Sequence, residues 1–365
     1  MSGLVCGRAA AARIRRLVAA GFGAVFLAGM GSIGPAEAQS ADKIRTGGQF
    51  PPIFEYVYRN FAIEGGFLAE QGIEAEFVGF TAGLTGTQAL VGGSVDFACD
   101  GLSGTIAAIE QGAGSKVVVN VNADNTYVIV ARDTIGGPGD IAGKTWAISQ
   151  MGAISQTYAQ LWLDHYGIES VEWVPIGGTG ARARALIAGQ VEATMLTIGE
   201  WLRVQNQPGI KFVEYLADVV PPLPLSLCSA SAKVLAERPD IVQRYVNGVL
   251  NAVRFARTPE GYEKYVETAR LYDEGAVSPE EYAELVEVYL GPEGNPFAVD
   301  PNGGMYPEVL VANMKSMVAD GTMKEILPLS EVWDPSFVNN YIGENGWFNV
   351  STGTGGHTLR DLIRR

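Results

Sequence analysis

The sequence predicts an α/β protein made of two similar lobes, followed by a helical final third. Three observations predict it. First, a strand–helix–strand unit occurs twice: residues 72–98 read GIEAEFVGFTAGLTGTQALVGGSVDFA and residues 167–194 read GIESVEWVPIGGTGARARALIAGQVEAT. Second, each helix of the repeat stops on glycine, Gly92-Gly93 or Gly189, and a second apolar strand follows at once. Third, the chain from Ala232 onward shows helical spacing with polar outer faces.

The two copies share a grammar. An apolar run, 75–80 or 171–176, reads as a strand, and a Gly/Thr stretch follows it. Thr85 and Thr179 each stand where a side chain can cap a helix start. A strand–helix–strand segment with so short a connection favours a parallel βαβ unit. The match between Gln88–Asp96 and Arg184–Glu192 falls at a constant spacing of 96 and includes the glycine stop and the acid after it. Two copies at that spacing describe two lobes, not a solenoid.

Residues 1–38 read as an export signal. Arg8, Arg13, Arg15 and Arg16 precede an uncharged stretch over 17–30, and Ala36-Glu37-Ala38 has the small-x-small cleavage pattern. The stretch is short for a membrane span. Met30 stands where a lipoprotein signal needs cysteine. The whole chain carries 26 Lys and Arg against 40 Asp and Glu, a net charge of −14, and losing the signal makes it more acidic. Such a balance argues against nucleic acid or an anionic membrane as partner. Outside the signal only Cys99 and Cys228 remain, and each falls in a predicted strand. A disulfide or two buried thiols both fit, with the thiols favoured. His165 and His357 are the two histidines, and no metal-ligand spacing occurs.

The remaining elements follow in order. A short strand over 43–47 leads to Gly47-Gly48-Gln49-Phe50, and Pro51-Pro52 opens a helix over 53–63. The first repeat ends at Asp100, and a helix over 104–111 follows. The runs 117–121 and 126–131 are strands, the second read as a crossover. A loop over 149–155 opens a helix through Tyr166, and the second repeat ends near Trp201. Pro221-Pro222-Leu223-Pro224 is a stiff return segment. Helices are expected over 233–237, 239–257, 262–272, 279–289, 306–319 and 335–342, with a Gly/Thr-rich tail over 343–365.

With these elements placed, the sequence resembles the substrate-binding proteins of ABC importers, in the NMT1/sulfonate–taurine-binding group. The marks are Gln88-Ala89-Leu90 with Gly93-x-Val95-Asp96, Ala142-Gly143-Lys144-x-x-Ala147-Ile148, the loop 150–156, Ala188-Gly189-Gln190-Val191-Glu192-Ala193, and Trp333-Asp334-Pro335-Ser336-Phe337-Val338-Asn339. The resemblance covers roughly residues 42–342. It implies the type II periplasmic binding fold, with residues 41–131 and 224–342 in lobe one and 132–223 in lobe two. It further implies a two-crossover hinge that closes on a small organic ligand, a periplasmic location, an ABC permease as partner, a monomer, and no catalysis or cofactor.

Ligands of open α/β sheets sit outside the carboxyl ends of the strands. That rule names candidate contacts from the residues themselves. In lobe one they are Gln49, Phe50, Ala82, Gly83, Leu84, Thr85, Asp100, Gly101, Leu102 and Ser103. In lobe two they are Met151, Gly152, Ala153, Ile154, Ser155, Gly178, Thr179, Gly180, Thr197, Glu200 and Trp201. Gln49 offers an amide, the hydroxyl residues offer donors at helix starts, and Phe50 or Trp201 offers a stacking face. Each has a structural alternative: Thr85 and Thr179 as caps, Phe50 as a hydrophobic staple, Trp201 as core. Asp100 and Glu200 both fall at strand ends, where two carboxylates would repel a simple anion. Arg182 and Arg184 are the nearest bases, outside the named loops. The pattern therefore leaves open an anion held by helix N-termini, or a neutral or cationic heterocycle. A cleft enzyme akin to pyrimidine-precursor synthases and a sensory module are the competing readings; the first would need a histidine in the cleft.

Overall fold

The computed structural model describes residues 41–348 apart from 51–55, 82, 123–125, 221–223, 225, 274–277, 279, 281–282, 284, 286–298, 305–306 and 320. The expected signal over 1–38 lies outside the described residues, as does most of the helix expected over 279–289.

The first part of the chain lays down β1 (Asp42–Gln49), α1 (Val57–Glu64), α2 (Phe67–Glu70), β2 (Ile73–Phe80), α3 (Gly83–Val91), β3 (Phe97–Asp100), α4 (Leu102–Glu110) and β4 (Lys116–Asn122). The second lays down β5 (Tyr127–Arg132), β6 (Thr145–Ile148), α5 (Ile154–His165), β7 (Glu172–Pro175), α6 (Thr179–Ile187), β8 (Ala193–Thr197), α7 (Ile198–Val204) and β9 (Ile210–Tyr215). The chain then gives β10 (Ser226–Ala230), α8 (Ala232–Glu237), α9 (Pro239–Ala256) and α10 (Pro259–Asp273). Helices Pro307–Ala319, Leu329–Val332 and Ser336–Asn345 follow.

Two five-stranded sheets result, in the orders β2-β1-β3-β10-β4 and β7-β6-β8-β5-β9. They have one topology. Within each, the first three strands are parallel and the fourth runs antiparallel to both neighbours. That fourth strand, β10 or β5, is the one that has just crossed from the other sheet. The repeated units are β2-α3-β3 and β7-α6-β8, each spanning a central strand (β1 or β6) that pairs with both its strands.

The matched glycines and acids of the repeat have matched jobs. Gly93 and Gly189 take positive φ, 72° and 71°, which ends each helix in a left-handed turn open to glycine. Asp96 accepts from the Arg45 backbone N–H at 2.8 Å, and Glu192 accepts from that of Thr145 at 3.0 Å. Each carboxylate ties its strand to the central strand. For Glu192 the Thr145 hydroxyl and N–H hold the carboxyl below its usual range.

Three expectations need correction. The sequence assigned 126–131 to lobe one, yet β5 pairs with β8 and β9 in the second sheet, so the crossing falls between Asn122 and Tyr127. A buried apolar strand reads alike in either sheet, and only its partners decide. Cys99 and Cys228 form a disulfide, because β3 and β10 are antiparallel neighbours with these residues opposite each other. The tail expected from 343 starts later: helix Ser336–Asn345 continues, Arg254 donates to the Gly346 carbonyl at 2.8 Å, and Asn302 donates to that of Phe348 at 3.0 Å.

Burial follows the sheets. The β4 valines Val117, Val118, Val119 and Val121 are fully buried. The first sheet packs against α9, which starts on Pro239 and buries Ile241, Val242, Tyr245, Val246 and Val249. Tyr245 stacks on Phe97 of β3 at 3.9 Å between ring centroids. The second lobe buries Trp146, Tyr158 and Trp162 together. Fully burying an aromatic side chain stabilises by roughly 1.5–3 kcal/mol, so these rings dominate the second core.

Candidate functional site

A cavity of about 50 Å³ lies where the carboxyl ends of the two sheets meet. A water needs roughly 10–15 Å³ on this measure, so the space takes a few waters or one compact organic molecule. Its wall comes from both lobes. Gln49 closes β1, Asp100 closes β3, Ser149 follows β6, Gly178 and Thr179 follow β7, and Thr197 closes β8.

Four described helices have their N-cap residue in this wall; Thr197 caps α7 with its own hydroxyl, accepting from the Glu200 N–H at 3.4 Å. Gly101, Ala153 and Gly178 are the N-caps of α4, α5 and α6; all three line the cavity, and none supplies a side-chain cap. Uncapped helix starts leave backbone N–H groups for other acceptors. The loop before α5 is braced by its own hydroxyls: Ser155 Oγ accepts from the Ser149 N–H at 2.9 Å and lies 2.8 Å from Ser149 Oγ.

Asp100 is the buried acid of the site, 4% exposed. Its Oδ2 accepts a long hydrogen bond from the Thr87 hydroxyl at 3.4 Å, and its Oδ1 has no partner within the protein. Burial pushes the carboxyl up to about 8, against the opposing pulls of the Arg59 charge and the Thr87 hydroxyl. Gly86 of α3 makes room for it, since a Cβ there would lie 2.3 Å from Oδ2.

Two buried arginines brace the site, one in each lobe. Arg59 of α1 donates to the carbonyls of Cys99 and Gln49, both at 2.8 Å. Arg182 of α6 donates to those of Gly177 at 2.8 Å and Met195 at 2.9 Å. Cys99 and Met195 are equivalent positions of the repeat, so each lobe pins the same strand residue with a guanidinium from a different helix. Arg182 lines the cavity, and its Nε is buried without a partner. Gly48 permits the Arg59 arrangement, because a Cβ there would lie 2.3 Å from Nη1.

Of the residues named from sequence, the cavity wall includes Gln49, Leu84, Asp100, Gly101, Ala153, Ile154, Ser155, Gly178, Thr179 and Thr197. Others stand elsewhere. Trp201 is 5% exposed and packs on Phe212 in the core, 6.0 Å between ring centroids. Leu102 and Ser103 are buried on α4. Phe50 packs against Phe77 and Tyr272 away from the wall. Glu200 turns to Arg203 at 3.1 Å, so the two acids suggested for a shared role do not both reach the cavity. Met151 is exposed, and Gly152 sits at φ 74° in the turn before α5. Thr85 lies inside α3, Gly83 begins it, and Gly180 lies on α6 beside Glu200. Ala82 is outside the described residues. The capping role also fails for Thr179: Gly178 is the N-cap of α6, and Thr179 Oγ1 accepts from the Thr197 N–H at 3.4 Å.

Sequence reasoning missed Tyr56, Cys99, Gly104, Tyr127, Ser149 and Arg182 in the wall. The repeat held the signal for Arg182. At the spacing of 96 it stands opposite Gly86, the residue that makes room for Asp100. Cys99 enters the wall as the residue before Asp100 at the end of β3.

Two facing α/β sheets with one topology, joined by two exchanged strands and holding a cavity between their carboxyl ends, define the periplasmic binding protein fold. Solved structures share it. The periplasmic nitrate-binding protein NrtA of Synechocystis PCC 6803 is 13% identical, with a TM-score of 0.70, and the match covers 84% of this chain and 89% of that one. The alkanesulfonate-binding protein SsuA of Xanthomonas axonopodis pv. citri, bound to MOPS, is 17% identical with a TM-score of 0.65, covering 81% and 99%. A Candida albicans protein described as exhibiting the generic periplasmic binding protein fold is 15% identical with a TM-score of 0.62, covering 83% and 95%. No curated protein matches the chain significantly. The NMT1/THI5-like family model matches residues 56–261, and the chain belongs to that family.

Proposed function

We propose that this chain is the solute-binding component of an ABC importer, exported to the periplasm, which captures a small organic molecule between its lobes and delivers it to an inner-membrane permease. The observation that carries the reading is the cavity at the facing strand ends, walled by residues of both lobes. A ligand there touches both sheets, so its binding favours the closed arrangement of the two lobes. The reading is supported by solved structures of the same fold, two of which are named as binding components of ABC transport systems and two as alkanesulfonate- and nitrate-binding proteins. In this reading the protein acts as a monomer and catalyses nothing, and residues 1–38 are removed after export.

Native mass spectrometry of the secreted protein tests it, followed by a thermal-shift screen of sulfonates, carboxylates, amides, heterocycles and amines. A retained mass, or a concentration-dependent rise in Tm for one chemical class, is expected. Small-angle scattering should show compaction with that compound. A chain that binds no member of the panel, or binds one with unchanged dimensions, would overturn the receptor reading.

A further inference from the structure

Taking the receptor reading as its premise, we propose that the ligand is a small uncharged molecule with an N–H/C=O edge, such as a lactam, cyclic imide or cyclic ureide, and that Asp100 is the residue that reads this edge. The argument starts from two unmet groups in one wall. Asp100 Oδ1 and Arg182 Nε are both buried and unpartnered, on opposite lobes, in residues that line the same cavity. Among the described residues Asp100 makes no ion pair; Arg59 acts on it only at longer range.

The wall therefore makes two demands. On the Arg182 side it offers N–H groups: the guanidinium and the uncapped starts of α5 and α6. A cation is disfavoured there, and carbonyl acceptors are favoured. On the Asp100 side it offers a carboxyl. A simple anion could accept from the O–H of the protonated carboxyl but would leave its carbonyl oxygen facing negative charge, with no N–H to satisfy it. A molecule with carbonyls for the N–H groups and an N–H for the carboxyl meets both demands without bringing net charge into a buried site. Burial favours the protonated carboxyl, and in that form it presents O–H and C=O side by side, the complement of an amide edge. The rings of Tyr56 and Tyr127 and the side chains of Leu84 and Ile154 supply flanking apolar surface. The small cavity sets the size at about one five- or six-membered ring.

The test uses ligand-free wild-type protein and isothermal titration with 2-pyrrolidone, succinimide and hydantoin. The controls are γ-butyrolactone and N-methylpyrrolidone, which keep the ring but lack the N–H. Propanesulfonate, butyrate and pyrrolidinium are the charged comparators. Binding by at least one N–H probe, tenfold or more tighter than its N–H-free control, supports the proposal. Tighter binding of a charged comparator, or equal binding of the lactone and lactam, overturns it while leaving the receptor reading intact. Binding by none of the neutral or charged probes, with no retained mass in the secreted protein, counts against both. Asp100→Leu should weaken the best N–H probe tenfold or more, and Asp100→Asn, which keeps an amide edge, should recover most of it; an unchanged affinity in a folded Asp100→Leu protein overturns the role of Asp100. Should Asp100→Leu fail to fold, the wild-type comparison of lactam with lactone decides alone.

Discussion

Replacing Asp100 by asparagine tests the electrostatics of the site without a ligand. The two side chains have nearly the same shape, so the change isolates ionisation. In the folded protein burial raises the carboxyl from an ordinary value of 3.8 to about 8. An acid raised on folding contributes a cost that grows with pH. Below the unfolded value both states hold the proton and the cost is absent. Between the two values only the folded state holds it, and stability falls by about 1.4 kcal/mol per pH unit. Above the folded value the loss is complete. At pH 7 the accumulated cost is about 4 kcal/mol. Asparagine removes it but leaves an unmet amide in the same place, which costs about 1–3 kcal/mol. Asp100→Asn should therefore be more stable than wild type at pH 7 by about 1–3 kcal/mol, and no more stable at pH 4.5. Urea unfolding followed by tryptophan fluorescence at several pH values between 4.5 and 7.5 measures the difference directly. Other titrating groups cancel in the comparison. A difference that stays constant across that range would refute the reasoning, because it would mean that Asp100 is ionised in the folded protein.

Three further outcomes follow from the same packing. Gly86→Ala places a methyl group 2.3 Å from Asp100 Oδ2, so it should destabilise by about 1–3 kcal/mol, and pairing it with Asp100→Ala should recover most of the loss, as read from urea midpoints. The Cys99–Cys228 bridge closes a sequence separation of 129 residues; replacing both cysteines by alanine should cost about 3–5 kcal/mol, and free thiols found on titration of the unfolded wild-type protein would refute the bond. Glu192→Gln removes a carboxylate whose folded value is depressed, so the stability it supplies is present above the unfolded value and fades as pH falls through the folded one. The variant should match wild type more closely at pH 3 than at pH 7 in the same unfolding assay, and an equal gap at both values would refute the role of Glu192 as a strand tie.

Local signals in the chain determined much of this protein. The repeat spacing, the glycine stops Gly93 and Gly189, and the apolar runs specify two α/β units. A left-handed turn and a two-residue burial period are written in a few adjacent residues. The strand-end rule reached Gln49, Asp100, Ser155, Thr179 and Thr197 for the same reason, since the ends of parallel strands can be counted along the chain. Tertiary pairing decided the rest. The side on which β5 lies, the Cys99–Cys228 bond and the burial of Trp201 depend on which distant strand or helix comes to lie alongside. The two arginine clamps show the difference most clearly. From sequence Arg182 is a base outside the site loops and Arg59 one residue of the helix expected over 53–63, yet each donates to the carbonyl of a strand residue. A side chain of that length finds its partners only when packed elements close around it; the repeat spacing marks the position of Arg182 opposite Gly86 but not the carbonyls it reaches.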